Sequence, residues 1–566
     1  MAGSGPGPDA TQLRGRTEPW GWAGTILLVF LTAVALWLRL RGLGAEGFAD
    51  DEVHKWLAAG RYLRGDFGGD DLEHPMLMKS LVALAAAGAR GASPEALSRL
   101  PSAVAGGLAV WATALLGRRL LGRAAGALAA ALMAVSTTAV GYHRIAKEDA
   151  LLTLFFTLCL WCLAEARAAA EDGRARDATR WERWSAAALG AAFASKYFIF
   201  YFTIPVLSYL WLRPVSAWRV PLRTWLARIG LALAVFLALN WTPLMPETYA
   251  YLASYIRGDV VGGDRGVSES IVFMGRLWGN LGLRGEAPPP WFFAVFAGVK
   301  FTPLVSILGF AGLALAVARR APSHRLLLVW LGIFWLTFQI AGGKYGRFFV
   351  SATPAFLLLA AHAATALARR ASALLRPGLA RAARPAAAAL LLVGPEARAA
   401  LEHAPHHRLY LSALAGGDRN VTRFFPHCDY FDAGMREAIA WVAAQGEPGA
   451  EVVSEVDWTV RFYAARDGRP DLVSSPFLRG RACVRRVPCY VLAHVGRTYR
   501  HNLEALELLA SRTPAHVIRV RGEDTVRVYR LAPGEPLFSE PRPGQAGLDQ
   551  QLHRPGQGLS ARHRRD

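Results

Sequence analysis

The first two thirds of the chain alternate long apolar stretches with short polar gaps. Residues 21–38 carry no charge, which is the signature of a membrane-spanning helix. The whole pattern predicts a polytopic α-helical membrane protein with about eleven transmembrane helices. The apolar stretches lie at 21–38, 100–116, 124–142, 150–164, 185–194, 198–212, 226–242, 291–317, 326–341, 347–367 and 386–394.

One part of this pattern needs a special arrangement. Residues 184–212 are too few for two full spans of about 20 residues each. A single span would place the Arg-rich gap that follows on the outer side of the membrane. The pattern therefore favours two short or broken helices around Ser195-Lys196-Tyr197, with protein or a cavity covering the break.

The charges in the gaps predict the topology. Four gaps contain arginine and no acidic residue, so the positive-inside rule places them in the cytoplasm together with the tail 1–20. The acid-rich or mixed loops 42–98 and 243–290 are then on the outer side. The arginine-containing gaps are 117–123, 213–228, 318–325 and 368–385.

The composition of the chain changes after Pro395, which ends the predicted transmembrane domain 21–394. Residues 395–535 alternate helical and strand-like patterns and are expected to form a small extracytoplasmic α/β domain. An oxidising outer compartment would allow a Cys483–Cys489 bridge there. Residues 536–566 have no apolar period and are expected to be a disordered tail. The β-rich segments are 451–457, 489–495 and 515–531, and 500–511 is the amphipathic helix.

The overall composition excludes several classes of function. The 566 residues are 53% hydrophobic, which is too apolar for an ordinary soluble enzyme. The net charge of +21 comes largely from arginines between apolar stretches, so it is a topology signal and no nucleic-acid partner is expected. His54 and His74 are too far apart for a helical metal motif, and no metal or other cofactor is expected.

Three consecutive carboxylates, Asp50, Asp51 and Glu52, follow the first predicted span. They could simply be a solvated acidic loop that helps to set the topology. Alternatively, one of them is a general base that deprotonates a hydroxyl or an amine at the membrane surface. Adjacent residues do not easily reach the same atom, so one would be the base and another would orient its partners.

Basic residues near span ends provide candidate anion ligands. Such residues often only extend their charge towards water. Several of them on one side could instead bind an anionic lipid, with Arg144 and Lys196 ranked above the others. Asp149 is expected to begin a helix and to stabilise its free amides. The complete candidate set of phosphate-binding residues for such a lipid is Arg144, Lys196, Lys79, Lys300 and Arg347.

These motifs, taken in order, resemble the protein O-mannosyltransferase family (glycosyltransferase family 39 of the GT-C superfamily) and its bacterial relatives, which include the transferase that adds aminoarabinose to lipid A. The resemblance covers roughly residues 20–365 and departs from the family at Met76, where the family usually has proline, and at the additional Asp50. The segments that carry it are Asp51-Glu52-Val53-His54, Tyr62, His74-Pro75-Met76-Leu77-Met78-Lys79, Arg99-Leu100-Pro101-Ser102, Arg144 to Asp149 and Lys300-Phe301-Thr302-Pro303-Leu304.

The resemblance implies a GT-C glycosyltransferase that moves a sugar, with inversion, from a polyprenyl-phosphate donor to a protein, lipid or glycan acceptor on the outer face. Asp51 would be the base and Glu52 its support, although the extra Asp50 could take the place of Asp51. Arg144 would neutralise the leaving phosphate. His54, His74 and Asp149 would contact substrate, and Lys79 would lie near the donor head group.

The alternative hypothesis is a transporter or flippase of an anionic lipid or sugar, because charged residues near spans also bind transported substrates. The carboxylates lie at span ends and the chain has no paired halves, which favours the enzyme. The chain is rich in alanine, arginine and glycine, as in proteins of GC-rich bacteria. The predicted location is the bacterial inner membrane, with the active site facing the periplasm or exterior.

Overall fold

A computed structural model describes residues 20–69, 71–89, 91–212, 221–256, 270–279, 287–319, 321–340, 343–373, 380–480 and 482–538. Nearly all of the predicted cytoplasmic tail and of the predicted disordered tail lie outside these residues, as do residues 257–269 and 280–286 of the predicted second outer loop. The described chain is mainly helical up to residue 445 and contains a mixed sheet after it.

The first half of the chain forms eleven helices in the described residues. The predicted loop 42–98 contains two of them, so the acidic motif lies in the first turn of a helix, where carboxylates are favoured by the helix dipole. The helices are α1 (Trp22–Leu40), α2 (Asp50–Tyr62), α3 (Met76–Gly88), α4 (Pro94–Leu121), α5 (Arg123–Val135), α6 (Thr137–His143), α7 (Asp149–Glu171), α8 (Ala175–Ser195), α9 (Thr203–Leu212), α10 (Leu222–Leu239) and α11 (Pro246–Ile256).

A short hairpin and further helices complete the helical part. The hairpin strands pair in antiparallel register from Ser270–Gly279 to Phe273–Arg276. These elements are β1 (Ser270–Phe273), β2 (Arg276–Gly279), α12 (Phe292–Val299), α13 (Pro303–Arg319), α14 (Pro322–Ile340), α15 (Thr353–Ala373), α16 (Ala380–Glu402), α17 (Val421–Phe424), α18 (Pro426–Tyr430) and α19 (Met435–Gln445).

Among the described residues, five helices are long and apolar enough to span a membrane, or six if the bent pair α5 and α6 forms one span. The predicted count of about eleven is therefore not confirmed. Several apolar stretches belong to shorter helices, as in α3 and α13, and hydropathy alone does not reveal where a helix ends. The bend between α5 and α6 is 56°, and it occurs at Ser136, whose hydroxyl accepts from the Ala139 amide at 3.4 Å.

The predicted break at Lys196 is present. Helix α8 ends at Ser195, a 3-10 turn follows over Ile199–Phe202, and α9 begins at Thr203. Buried contacts cover the broken backbone, because Tyr201 is fully buried and bonded to Ser351 across the structure at 2.5 Å. The interruption therefore places a lysine side chain at the end of a helix inside the protein.

The C-terminal part contains a five-stranded mixed sheet with the order β4-β3-β5-β7-β6. Strand β3 is parallel to β4 and β5, whereas β7 is antiparallel to β5 and β6. Cys483 and Cys489 form the predicted disulfide. The elements are β3 (Glu451–Ser454), α20 (Asp457–Arg466), β4 (Val473–Pro476), β5 (Cys489–His494), α21 (Leu503–Ala510), β6 (His516–Val520) and β7 (Glu523–Leu531).

The acidic first outer loop packs directly on this C-terminal part. The Phe48 amide donates to the Tyr463 hydroxyl at 2.6 Å, and that hydroxyl donates to Glu95 at 2.8 Å. Glu46 pairs with Arg408 through both carboxylate oxygens, at 3.1 and 3.2 Å. These contacts fix the segment that precedes α2, and therefore the position of the carboxylates in its first turn.

Candidate functional site

Asp51 lies at the centre of a charged cluster. Its Oδ2 is 2.7 Å from Lys147 Nζ and 3.3 Å from Arg347 Nη1, and its side chain is 42% exposed. Burial alone would raise the pKa of Asp51, but the positive charges of Lys147 and Arg347 outweigh it and hold this pKa well below its ordinary value. Asp51 is therefore an accessible carboxylate with cations on one side.

Glu52 is adjacent in sequence but has a different environment. Its side chain is fully buried and accepts two hydrogen bonds from Arg99, at 2.8 and 2.6 Å. It also accepts from the amides of Ala49 and Ala146, at 2.9 and 2.7 Å. These bonds connect the start of α2 to α4 and to the turn before α7. The side chain of Asp50, the first residue of α2, lies outside the described residues.

Lys147 was not among the candidate phosphate ligands. It belongs to the segment Tyr142 to Asp149 that resembles the second acidic motif, and its side chain is only 2% exposed. The Ser102 hydroxyl donates to the Lys147 carbonyl at 2.8 Å and fixes the turn that carries it. Its position in that motif is the sequence feature that could have identified Lys147 as a candidate.

Lys196 and Asp149 form the second part of the site. Lys196 Nζ is 2.6 Å from Asp149 Oδ1, and the ammonium group lies 4.6 Å and 4.7 Å from the ring centres of Phe198 and Phe348. Asp149 Oδ2 is buried and has no hydrogen-bond partner among the described residues. Arg347 lies 5.7 Å from the ring centre of Phe348, so this ring connects the two cation groups.

A third group surrounds Asp71, whose backbone has a positive φ of 69°. Lys55 Nζ contacts both Asp71 oxygens, at 2.9 and 2.7 Å, and Glu148 Oε1 at 3.0 Å. Burial alone would raise the pKa of Asp71, but Lys55 and Lys79 hold it well below its ordinary value. The same reasoning applies to Glu148, whose pKa is lowered chiefly by Lys55 against the effect of burial.

The predicted residues His74 and Lys79 both belong to this third group. Lys79 Nζ donates to the carbonyls of Asp71 and His74, at 2.6 and 3.1 Å, and thereby holds the turn before α3. His74 Nδ1 is 2.9 Å from Asp71 Oδ1. Burial and Lys55 lower the pKa of His74, but the negative charges of Glu148 and Asp71 prevail and raise it above its ordinary value.

Three side chains in this group have the chemistry of metal ligands. One ligand atom each from Asp71, Glu73 and His74 lies within 4.8 Å of the others. Two carboxylates and an imidazole suit a divalent cation such as zinc or manganese. The ammonium groups of Lys55 and Lys79 already lie 2.7 Å and 3.6 Å from Asp71 Oδ2, so these lysines supply positive charge at the same position.

The remaining predicted residues, Arg144, Lys300 and His54, contact other parts of the structure. Arg144 donates to four carbonyl oxygens at the end of α1, those of Leu38, Arg39, Arg41 and Gly42, at 2.7–3.1 Å. Lys300 is fully buried and bonds to the C-terminal part at Arg408, Tyr410 and Asp429. His54 stacks edge-on against Trp458 of α20 at 5.2 Å. Arg144 and Lys300 therefore join structural elements.

The chain is similar to several solved structures. It resembles a crystal structure of ArnT from Cupriavidus metallidurans bound to undecaprenyl phosphate, with 14% identity, a TM-score of 0.47 and coverage of 90% of this chain and 98% of that chain. It also resembles the apo oligosaccharyltransferase of Archaeoglobus fulgidus, with 13% identity, a TM-score of 0.48 and coverage of 84% and 69%.

A third similar structure is the S. cerevisiae protein O-mannosyltransferase Pmt1-Pmt2 complex bound to the sugar donor, with 21% identity and a TM-score of 0.33 over 43% of this chain and 36% of that chain. A search of curated proteins gave no match. Residues 73–242 match the family model described as dolichyl-phosphate-mannose-protein mannosyltransferase. This match confirms the resemblance to the protein mannosyltransferase family that the motifs indicate, and it covers the segments that carry Lys79, Lys147, Asp149 and Lys196.

Proposed function

We propose that the protein is a membrane glycosyltransferase that transfers a sugar from a polyprenyl-phosphate donor to an acceptor hydroxyl or amine, with Asp51 as the base. The observation that carries this proposal is the accessible Asp51 carboxylate, which touches two cations while a third, Lys196, lies behind the Phe348 ring. A base for the acceptor and cations for a leaving phosphate are the two requirements of this reaction.

The cations suit the donor phosphate. The guanidinium of Arg347 and the ammonium of Lys196 share the Phe348 ring, at 5.7 and 4.7 Å from its centre. Charged hydrogen bonds to phosphate oxygens are about twice as strong as neutral ones, and they grow stronger as the leaving group gains charge. Lys147 and Arg347 thus take the role expected of Arg144, whose two terminal nitrogens donate to the end of α1.

The low pKa of Asp51 fits a base that becomes active when the donor binds. In the free protein Lys147 and Arg347 stabilise its charged form. A bound phosphate competes for these cations and adds negative charge nearby, which raises the proton affinity of Asp51. The acceptor then gives its proton to Asp51, its oxygen or nitrogen bonds to the anomeric carbon, and the bond from that carbon to the phosphate oxygen breaks.

Inversion and the outer-face location belong to the same proposal. A single displacement requires the acceptor to approach opposite the leaving phosphate, which assigns Asp51 to the acceptor side and Lys196 to the donor side. The Cys483–Cys489 disulfide supports an oxidising compartment for the C-terminal part that packs on the Asp51 loop. Mannose is the donor sugar that the family description suggests.

Asp51→Asn tests the base in membranes supplied with a radiolabelled mannosyl polyprenyl phosphate. The rate of sugar transfer should fall by about 10²–10⁴-fold, the usual effect of removing a positioned base. Asp66→Asn is the matched control, because Asp66 belongs to the same outer loop and is exposed. Full transfer by Asp51→Asn would refute the assignment, and substrate movement without transfer in the wild type would favour the transporter.

A further inference from the structure

A groove opens among α7, α8, α9 and α10. Most of its lining is hydrocarbon, including Leu163, Leu189, Phe202 and Ile229. None of these residues takes part in the site around Asp51, so the groove needs a separate explanation.

The open side of this groove faces the membrane. Helix α10 has a mean hydropathy of 1.7, yet none of its residues is buried within the protein. Ile229, which lines the groove, is 46% exposed, and Leu226 and Leu233 on the same helix are 58% and 52% exposed. Leucine side chains of a membrane helix with this exposure contact lipid chains, so the natural occupant of the groove is a hydrocarbon chain.

The groove also contains a cation. Arg228 Nη2 pairs with Glu182 at 3.2 Å, and its side chain is 18% exposed. Its Nε is buried and has no hydrogen-bond partner among the described residues. The sequence from 213 to 228 carries four arginines and no acidic residue. An apolar slot beside an arginine with an unused buried donor matches the chemistry of an anionic phospholipid.

The Arg228 end of the groove and the Asp51 site lie about 20 Å apart along the same helices. Lys196 follows the last residue of α8, and Glu182 lies about 20 Å before it at 1.5 Å per helical residue. Asp149 begins α7, and Leu163 lies about 20 Å beyond it by the same rise. The Arg228 end of the groove therefore belongs to the membrane leaflet opposite the catalytic candidates.

We propose that this groove binds an anionic phospholipid from the leaflet opposite the Asp51 site, with its phosphate on Arg228 and one acyl chain between α8 and α10. The lipid fills the gap between helices whose far ends carry Lys196 and Asp149. It is distinct from the polyprenyl donor, whose phosphate belongs to the other end of these helices.

The test uses the full chain in detergent with added phosphatidylglycerol or phosphatidylcholine, and native mass spectrometry measures the lipid retained. Wild-type protein should retain phosphatidylglycerol at least about tenfold better, because the choline cation of phosphatidylcholine cancels the charge of its phosphate and is repelled by Arg228. Arg228→Gln should abolish this preference. Glu182→Gln should increase it, because the competing carboxylate on Arg228 is removed.

Two further variants separate the acyl slot from the charge. Ala232→Phe fills the groove from α10 and should lower retention of both lipids, whereas Ala227→Phe, an exposed position of the same helix, should not. Leu189→Phe fills the groove from α8 and replaces Ala232→Phe if that variant does not fold. Equal retention of both lipids, or complete displacement of phosphatidylglycerol by undecaprenyl phosphate, would overturn the proposal. Neither result depends on transferase activity.

Discussion

Asp51 and Asp429 are both paired with a buried lysine, but the carboxylate of Asp51 is accessible to solvent and that of Asp429 is not. Asp51 and its partner Lys147 are 42% and 2% exposed, whereas Asp429 and Lys300 are both fully buried. Lys300 uses its three donors on two carbonyls and Asp429, and the second Asp429 oxygen accepts from Tyr142 at 2.9 Å. An open cluster can exchange a partner for substrate, whereas a closed cluster can only hold the fold.

The largest expected difference between the two clusters is in stability. Asp429→Asn should lower the free energy of unfolding by about 3–5 kcal/mol, because Lys300 would remain charged and buried without its anion. Asp51→Asn should change it little, since Lys147 and Arg347 can still reach water through the opening at Asp51. Thermal unfolding midpoints of both variants in the same detergent measure this contrast. Equal losses in the two variants would contradict it.

A second difference should appear in donor binding. Lys196→Gln removes a charged donor from the proposed phosphate site and should raise the donor KM about 10–100-fold, as expected for a hydrogen bond worth about 1.5–3 kcal/mol. The folded fraction of Lys300→Gln should keep a wild-type donor KM, because Lys300 faces Asp429 and not the open cluster. Initial rates at varied concentrations of the mannosyl donor provide both values. An unchanged KM in Lys196→Gln would remove Lys196 from the donor site.

The pH dependence of His74 gives a smaller effect. Its pKa is raised in the folded protein, so its ion pair with Asp71 contributes stability below its ordinary pKa and loses it as the pH rises through the raised value. Asp71, with a lowered pKa, stays charged throughout this window. Unfolding midpoints of the wild type should therefore decline as the pH rises above about 6.5, the ordinary pKa of histidine. His74→Gln should lack this decline, and a parallel decline in both would refute the assignment.

Local sequence patterns predicted much of the fold and part of the candidate site. The broken helix at Lys196 followed from a segment too short for two spans, and the disulfide followed from two nearby cysteines. The contacts of the Arg144 side chain could not be predicted, because the carbonyl groups to which it donates lie at the end of α1, about 100 residues earlier. The second acidic motif pointed to the segment that carries Lys147, but its contact with Asp51 could not be predicted because only the tertiary structure brings the two residues together. The number of spans depended on helix ends, which hydropathy does not define.

The smallest expected effect concerns metal. Asp71, Glu73 and His74 have suitable ligand atoms within 4.8 Å, but Lys55 Nζ lies 2.7 Å from Asp71 Oδ2 and repels an incoming cation. Lysines and Arg347 supply the positive charge that a metal would provide to a leaving phosphate. EDTA or phenanthroline should therefore leave sugar transfer unchanged. A loss restored by zinc or manganese, and absent from Glu73→Gln, would show that these side chains bind a functional metal and that Lys55 moves aside to admit it.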